Sequence, residues 1–160
     1  MVTRRSSLRI GGIAALAVTV AIVAVGWSGA TSSKAAARRA AAAPTVQTKK
    51  IKNLGVVLVN SKGLTLYMFV RDKQKKVTCI SPACVTVWPP LKLKKGQKPT
   101  AGGAAKKKLL GLDGRVVTYN RWPLYTYYLD KKPSQAKGQG VNSLGGKWYV
   151  LTPSGKVLKR

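Results

Sequence analysis

Histidine and glutamate are absent from the 160 residues, and all negative charge rests on three side chains, Asp72, Asp113 and Asp130. General acid–base catalysis draws mainly on His, Asp or Glu held beside a substrate, and a Ser or Cys nucleophile needs a base next to it. Here the candidates shrink to three Asp, some Lys and the Tyr, so the expectation is a protein without a catalytic centre. Cysteine is scarce too, with Cys79 and Cys84 alone. Two thiols without a histidine fall short of the four ligands of a tetrahedral zinc site, and neither a metal site nor a cofactor is expected. No cysteine follows the apolar N-terminal run, so no lipid attachment is expected at that point.

What the chain has in excess is positive charge. Thirty Lys and Arg give a formal net charge of +27, and the part after Ala30 still carries +24. Such a surface attracts any polyanion at low salt, over a range that shrinks to about 10 Å at 0.1 M. The expected partner is an anionic cell-wall polymer or a membrane surface. The lysines of 92–108 are not interleaved with aromatics, whereas single-strand binders pair a basic groove with stacking rings. No specific nucleic acid is therefore expected. Gly138, Gly140, Gly145 and Gly146 fit no phosphate-cradling motif, because the lysine and hydroxyl residues of a P-loop are absent at the required spacing.

Residues 1–30 read as an export segment. Arg4, Arg5 and Arg9 form a basic start, Ile10 to Val25 is uncharged and apolar, and Ser28-Gly29-Ala30 offers small residues for cleavage. Thr3 to Arg9 resembles a twin-arginine export motif, with Ser7 where a bulky apolar residue is commoner; ordinary basic residues of a general signal are the other reading. The uncharged stretch Ile10 to Ser33 is long enough to cross a bilayer as a helix. The segment is thus either a cleaved signal or a retained anchor helix, with 10–27 as the tether. Residues 31–50 hold Lys34-Ala35-Ala36-Ala37-Arg38-Arg39 and four further alanines. Nothing amphipathic is available to bury, so this part is expected to be a linker. Its basic residues either rest on an anionic surface or stay solvated.

From Ile51 the pattern turns to short β-type runs. Leu54 to Val59, the turn Asn60-Ser61-Lys62-Gly63 and Leu64 to Val70 read as a hairpin. On an extended strand Tyr67 and Phe69 share one face, and Leu66, Met68 and Val70 share the other. Apolar residues on both faces predict a strand covered on both sides. Cys79 and Cys84 enclose four residues, a wider gap than the two of a thioredoxin-type motif, and an exported compartment favours a structural disulfide. That link would hold the loop before Val85 to Pro90; a labile redox switch is the other possibility. Residues 92–108 read as a Lys, Gly and Pro connection. Val116 to Tyr119, Leu124 to Leu129, Lys147 to Leu151 and Lys156 to Arg160 then read as strands, with a Gly-rich loop between Gly138 and Gly146.

Two stretches are nearly the same. Leu66-Tyr67-Met68-Phe69-Val70-Arg71-Asp72 and Leu124-Tyr125-Thr126-Tyr127-Tyr128-Leu129-Asp130 both read Leu-Tyr-x-aromatic-x-x-Asp, at a constant offset of 58 that also lays Val59 on Val117. A fixed period signals units that cannot bury their apolar faces alone. The expectation is an all-β fold of two pseudo-equivalent antiparallel hairpin or meander repeats in one domain of residues 51–160. Repeat one covers about 54–91 and repeat two about 109–158. The repeated Tyr67, Phe69, Asp72, Tyr125, Tyr127 and Asp130 are the candidate site. Their rings either fill a shared core or line a site for a small ligand or redox cofactor, for example haem held by tyrosine. Asp72 and Asp130 either close turns by accepting backbone amides or serve as ligand contacts, and a hydrolase would need both carboxylates on one substrate.

These motifs resemble a bacterial family of secreted repeats, or predicted lipoproteins, marked by Tyr-x-aromatic-x-x-Asp. The matching residues are Tyr67, Phe69 and Asp72, then Cys79, Cys84 and Trp88-Pro89-Pro90-Leu91. In the second copy they are Val117 to Asn120, Pro123-Leu124-Tyr125, Tyr127, Asp130, Gly138 to Val141 and Trp148-Tyr149-Val150. The resemblance covers about Leu54 to Gly155 and implies two repeats and a place outside the cytoplasm. It carries over no catalytic residue. The chain departs from the family's pattern in lacking a lipid-accepting Cys and in its lysine-rich surface.

Overall fold

The computed structural model describes residues 43, 45–72 and 76–159, which belong to one folded unit, Ala41–Arg160. The expected apolar helix of residues 1–30 and most of the linker lie outside the described residues. Among the described residues no helix is long and apolar enough to cross a membrane.

Among the described residues eight short strands form three small antiparallel sheets. Strands β1 (Val46–Ile51) and β2 (Gly55–Asn60) pair along their whole length. Strand β3 (Tyr67–Phe69) pairs with β8 (Gly146–Val150), which also pairs with β7 (Asn142–Ser143). The third sheet runs β4 (Leu110–Asp113), β5 (Val116–Tyr119) and β6 (Trp122–Pro123). Among the described residues helix is limited to α1 (Pro82–Val87) and one 3-10 turn at Lys107–Leu109.

The turns follow their residues. Gly63 has φ +77, and the Asn60 Oδ1 accepts the Lys62 and Leu64 amides at 2.9 and 3.0 Å, closing the expected hairpin. The second hairpin turns on Asn120 and Arg121, both at positive φ (46° and 71°), as a two-residue type I′ connection requires. Ser81 starts α1 by accepting the Cys84 amide, and Pro82 occupies its first turn, where proline's missing N–H costs nothing.

Two differences from the sequence reading concern the first repeat. Strand β1 lies mostly inside the expected linker 31–50, so the β-structure begins at Val46 and not at Ile51. Its Val46 is also bonded to the expected connection, with Val46 N–H on the Thr100 carbonyl and Gly102 N–H on the Val46 carbonyl. Residues 82–87, the first three of which fall in the expected loop before Val85, form α1.

The two faces of the central strand do separate as alternation requires. Tyr67 and Phe69 belong to one apolar cluster with Trp88, Tyr125, Trp148 and Val150. Leu66 and Met68 belong to a second with Leu58, Val117, Tyr119, Leu124 and Leu151. The strand is therefore covered on both sides.

Candidate functional site

The repeated motifs meet backbone to backbone. Tyr67 N–H donates to the Tyr125 carbonyl at 2.8 Å, and Tyr125 N–H returns the bond to the Tyr67 carbonyl at 2.9 Å. This reciprocal pair sets the two copies antiparallel across each other, and the tyrosine–aspartate bonds and the outer ring stacks cross in the same way.

The carboxylates show it most clearly. The Tyr67 hydroxyl donates to Asp130 Oδ2 at 2.6 Å, and the Tyr125 hydroxyl donates to Asp72 Oδ2 at 2.5 Å. Each tyrosine thus finds the aspartate of the other repeat. The remaining oxygen of each aspartate stays with its own repeat. Asp72 Oδ1 accepts the Thr78 amide and hydroxyl at 2.8 and 2.6 Å, and Asp130 Oδ1 accepts the Lys137 amide at 2.9 Å. The Tyr67 hydroxyl oxygen also accepts the Gly138 amide, at 3.2 Å. The aspartates do close turns, since Asp72 N–H donates to the Phe69 carbonyl and Asp130 N–H to that of Tyr127. Their side chains reach farther, pinning amides six and seven residues ahead and clamping the opposite repeat.

The rings follow the same crossing. Trp88 and Trp148 lie face to face, centroids 3.9 Å apart with an interplanar angle of 1°. Trp88 stacks outward on Tyr127 of the second repeat at 4.2 Å, and Trp148 on Phe69 of the first at 4.1 Å. The result is a four-ring column, Tyr127, Trp88, Trp148, Phe69. Tyr67 meets Trp88 edge-on at 5.4 Å and Tyr125 meets Trp148 edge-on at 5.1 Å, a geometry that aromatic quadrupoles favour. Glycine is required at position 138 for space, because a Cβ there would come within 2.8 Å of the Trp88 ring and 2.9 Å of the Tyr67 ring.

Burial sets the protonation of this interior. Tyr67 and Tyr125 are fully buried; desolvation, then the hydrogen bond to an aspartate, pushes both phenols far above their ordinary range. Burial also raises the Asp72 carboxyl, against the opposing hydrogen bonds from Thr78 and Tyr125. The arrangement holds protons in place, which suits a clamp.

Of the expected site residues, Tyr67, Phe69, Asp72, Tyr125 and Asp130 are buried, and Tyr127 is half-buried at the end of the column. Cys79 and Cys84 are joined, with Cα atoms 5.5 Å apart, and together with Ser81 fix α1, whose last carbonyls lead directly into Trp88. Sequence reasoning did not single out Trp88 and Trp148 as the centre of this interior, nor Gly138 and Thr78 beside it. The signal was present in shifted form. Trp88 and Trp148 stand 60 residues apart, and Cys79 and Gly138 stand 59 apart, so a rigid offset of 58 lays Trp148 on Pro90. The drift also corrects the upstream match. The Leu58 N–H donates to the Leu151 carbonyl and the Leu58 carbonyl accepts the Leu66 amide, while the Val117 N–H donates to the Leu91 carbonyl and the Val117 carbonyl accepts the Leu124 amide, so Val117 answers Leu58 and not Val59.

Charge is sorted against this interior. Asp72 and Asp130 are buried, and Asp113 accepts the Val77 amide at 2.8 Å. Every lysine and arginine among the described residues is exposed.

No curated protein and no solved structure matches the chain. A family model described as a secreted repeat of unknown function matches twice, over residues 48–92 and 111–152. The two matches divide the chain where the crossed halves divide, and the description fits an exported protein. The chain belongs to this family of secreted repeats.

Proposed function

We propose that the protein is a non-catalytic module of the cell envelope, exported by its N-terminal segment and held by charge against an anionic wall polymer or lipid surface. The observation that carries this reading is the sorting of charge. The aspartates are spent in the interior or on a backbone amide, and the basic side chains among the described residues all face outward. A surface of nearly one sign attracts polyanions strongly, and the attraction weakens as salt rises.

The paired motifs support the same reading by being occupied. The oxygens of Asp72 and Asp130 are engaged with donors of the protein, which favours a structural role over a hydrolytic one. The rings of Tyr67, Phe69, Tyr125 and Tyr127 are packed on Trp88 and Trp148, which favours a shared core over a haem or small-ligand site. Residues 10–27 supply either the signal that is removed or the tether that stays.

The test is co-sedimentation of the exported protein with purified cell wall and with vesicles containing anionic phospholipid. Retention at an ionic strength of about 0.15 M, where the screening length is about 8 Å, is the expected result. Complete release at that salt from both materials would reduce the attraction to a by-product of composition.

A further inference from the structure

The two halves differ at one cross-strand pair, and the difference opens a cavity. Gly111 on β4 faces Thr118 on β5. Since Val117 answers Leu58, the corresponding pair in the first half is Gln47 on β1 and Val59 on β2. The second half therefore has a hydroxyl where the first has a methyl, and no side chain where the first has an amide.

Gly111 is not demanded by backbone conformation, because it is not among the glycines with positive φ. What it does is leave space. A Cβ there would stand 2.8 Å from the Thr118 Oγ1, so the hydroxyl points into the room that the missing side chain vacates. Thr118 is 2 % exposed, and its hydroxyl has no hydrogen-bond partner among the described residues. No buried side-chain oxygen among the described residues lacks a partner, so this hydroxyl reaches solvent through the opening, and a ligand oxygen that accepts its proton takes the place of water there. The cavity above it measures about 150 Å³ and is flanked by Lys108 and Arg121, with Leu109 and Leu112 on its rim. Arg121 is held at this mouth by the type I′ turn, whose Asn120 amide bonds the Leu109 carbonyl at 2.7 Å and whose Asn120 side chain bonds the Gly155 carbonyl at 2.9 Å. Asp113 projects from the same face of β4 but is turned to the Val77 amide and does not line the cavity.

From this geometry we infer that the Gly111–Thr118 cavity is an anion site for a phosphodiester group. A guanidinium fork and an ammonium supply charge to two oxygens, the Thr118 hydroxyl donates to one of them, and the leucine rim accepts the carbon arms that a diester has and free phosphate lacks. The inference deepens the attachment reading above, on which it rests for its ligand class: it gives diffuse attraction a fixed point on the second half.

The experiment is a titration of the ¹⁵N-labelled protein with glycerophosphoglycerol, a small soluble diester, at about 0.15 M salt, followed by amide shifts. Saturable shifts confined to Gly111, Thr118 and Arg121 are expected. Thr118→Val, which copies the Val59 of the first half, should weaken them at least about tenfold, the scale of one hydrogen bond to a charged group. Gly111→Ala should abolish them by filling the space, and Lys131→Gln with Lys132→Gln should leave them unchanged. Shifts that spread over all lysine-bearing loops without saturating, or an unchanged response in a folded Thr118→Val protein, would overturn the site. Phosphatidylglycerol vesicles and a soluble glycerol-phosphate oligomer are then run as competitors. Competition by either supports the site and identifies the source of the diester, and competition by neither overturns it. Diester binding without retention on wall or vesicles would leave the site standing and remove the attachment reading. Retention without a saturable diester signal would do the reverse.

Discussion

The two halves of this domain agree at the centre and disagree at the edge. Around the Tyr67–Tyr125 bridge the clamping hydrogen bonds and the ring stacks have counterparts: tyrosine to the opposite aspartate, tryptophan to the opposite aromatic. Away from it the halves use different parts for one task. The first positions Trp88 with a disulfide and a short helix, whereas the second positions Trp148 within the β7–β8 hairpin. A crossed interior constrains both copies at once, since a change in one copy's tyrosine strands the other's aspartate. The periphery carries no such coupling, and it is there that helix, hairpin and the Gly111–Thr118 cavity have diverged.

The strongest way to break this comparison is to remove one tryptophan. Trp88→Ala and Trp148→Ala should each destabilise the domain by about 3–5 kcal/mol, the usual range for deleting a buried aromatic. If the halves were independent, each substitution would unfold only its own half and give two steps in urea. Because each ring lies against the other half, both variants should lose stability to a similar extent in a single transition, seen alike by far-ultraviolet circular dichroism and by the remaining tryptophan fluorescence. Two separated transitions would show that the crossing is not what couples the halves.

A smaller effect should separate the halves. Replacing Cys79 and Cys84 together by alanine removes the covalent link that only the first half has. Closing so short a loop contributes about 2 kcal/mol in the chain-entropy account. The expected urea midpoint falls accordingly, while the near-ultraviolet signal of the stacked tryptophans persists in the folded state. Loss of that signal before unfolding would mean that α1 depends on the link for its position, and that the hairpin of the second half is the better support.

Much of the centre was legible in the sequence. Alternation at Leu66 to Val70 announced a strand buried on both faces, the motif announced two copies, and the cysteine spacing announced the link. Which copy answers which was not legible. Repetition names equivalent residues, but whether Tyr67 turns to Asp72 or to Asp130 is settled only when the strands cross. Strand β1 escaped because Gln47-Thr48-Lys49-Lys50 has no apolar alternation. It is held by backbone pairing to β2 and, at Val46, to the connection, and neither leaves a mark on side-chain pattern. The cavity escaped for a related reason: Gly111 and Thr118 are unremarkable separately and acquire meaning from the register that pairs them.

The finest test of the crossed centre is alkaline pH. Tyr67 and Tyr125 have folded-state pKa values raised above the ordinary phenol value of 10.0, first by burial and then by their aspartates. A group raised in the folded state contributes stability that is complete below its unfolded pKa and is lost as pH climbs toward the folded one. Above about pH 10 the unfolded chain releases these two protons and the folded domain keeps them, so each tyrosine should cost about 1.4 kcal/mol per pH unit. Phenolate absorbance in the native state should stay below that of six tyrosines until the domain unfolds, then rise together with the loss of circular dichroism. Tyr67→Phe and Tyr125→Phe should each flatten the alkaline slope by one proton and by the same amount, because the two clamps are counterparts. Unequal slopes would show that the equivalence ends at the hydroxyls, with Thr78 on Asp72 and no matching hydroxyl on Asp130 as the first place to look for the asymmetry.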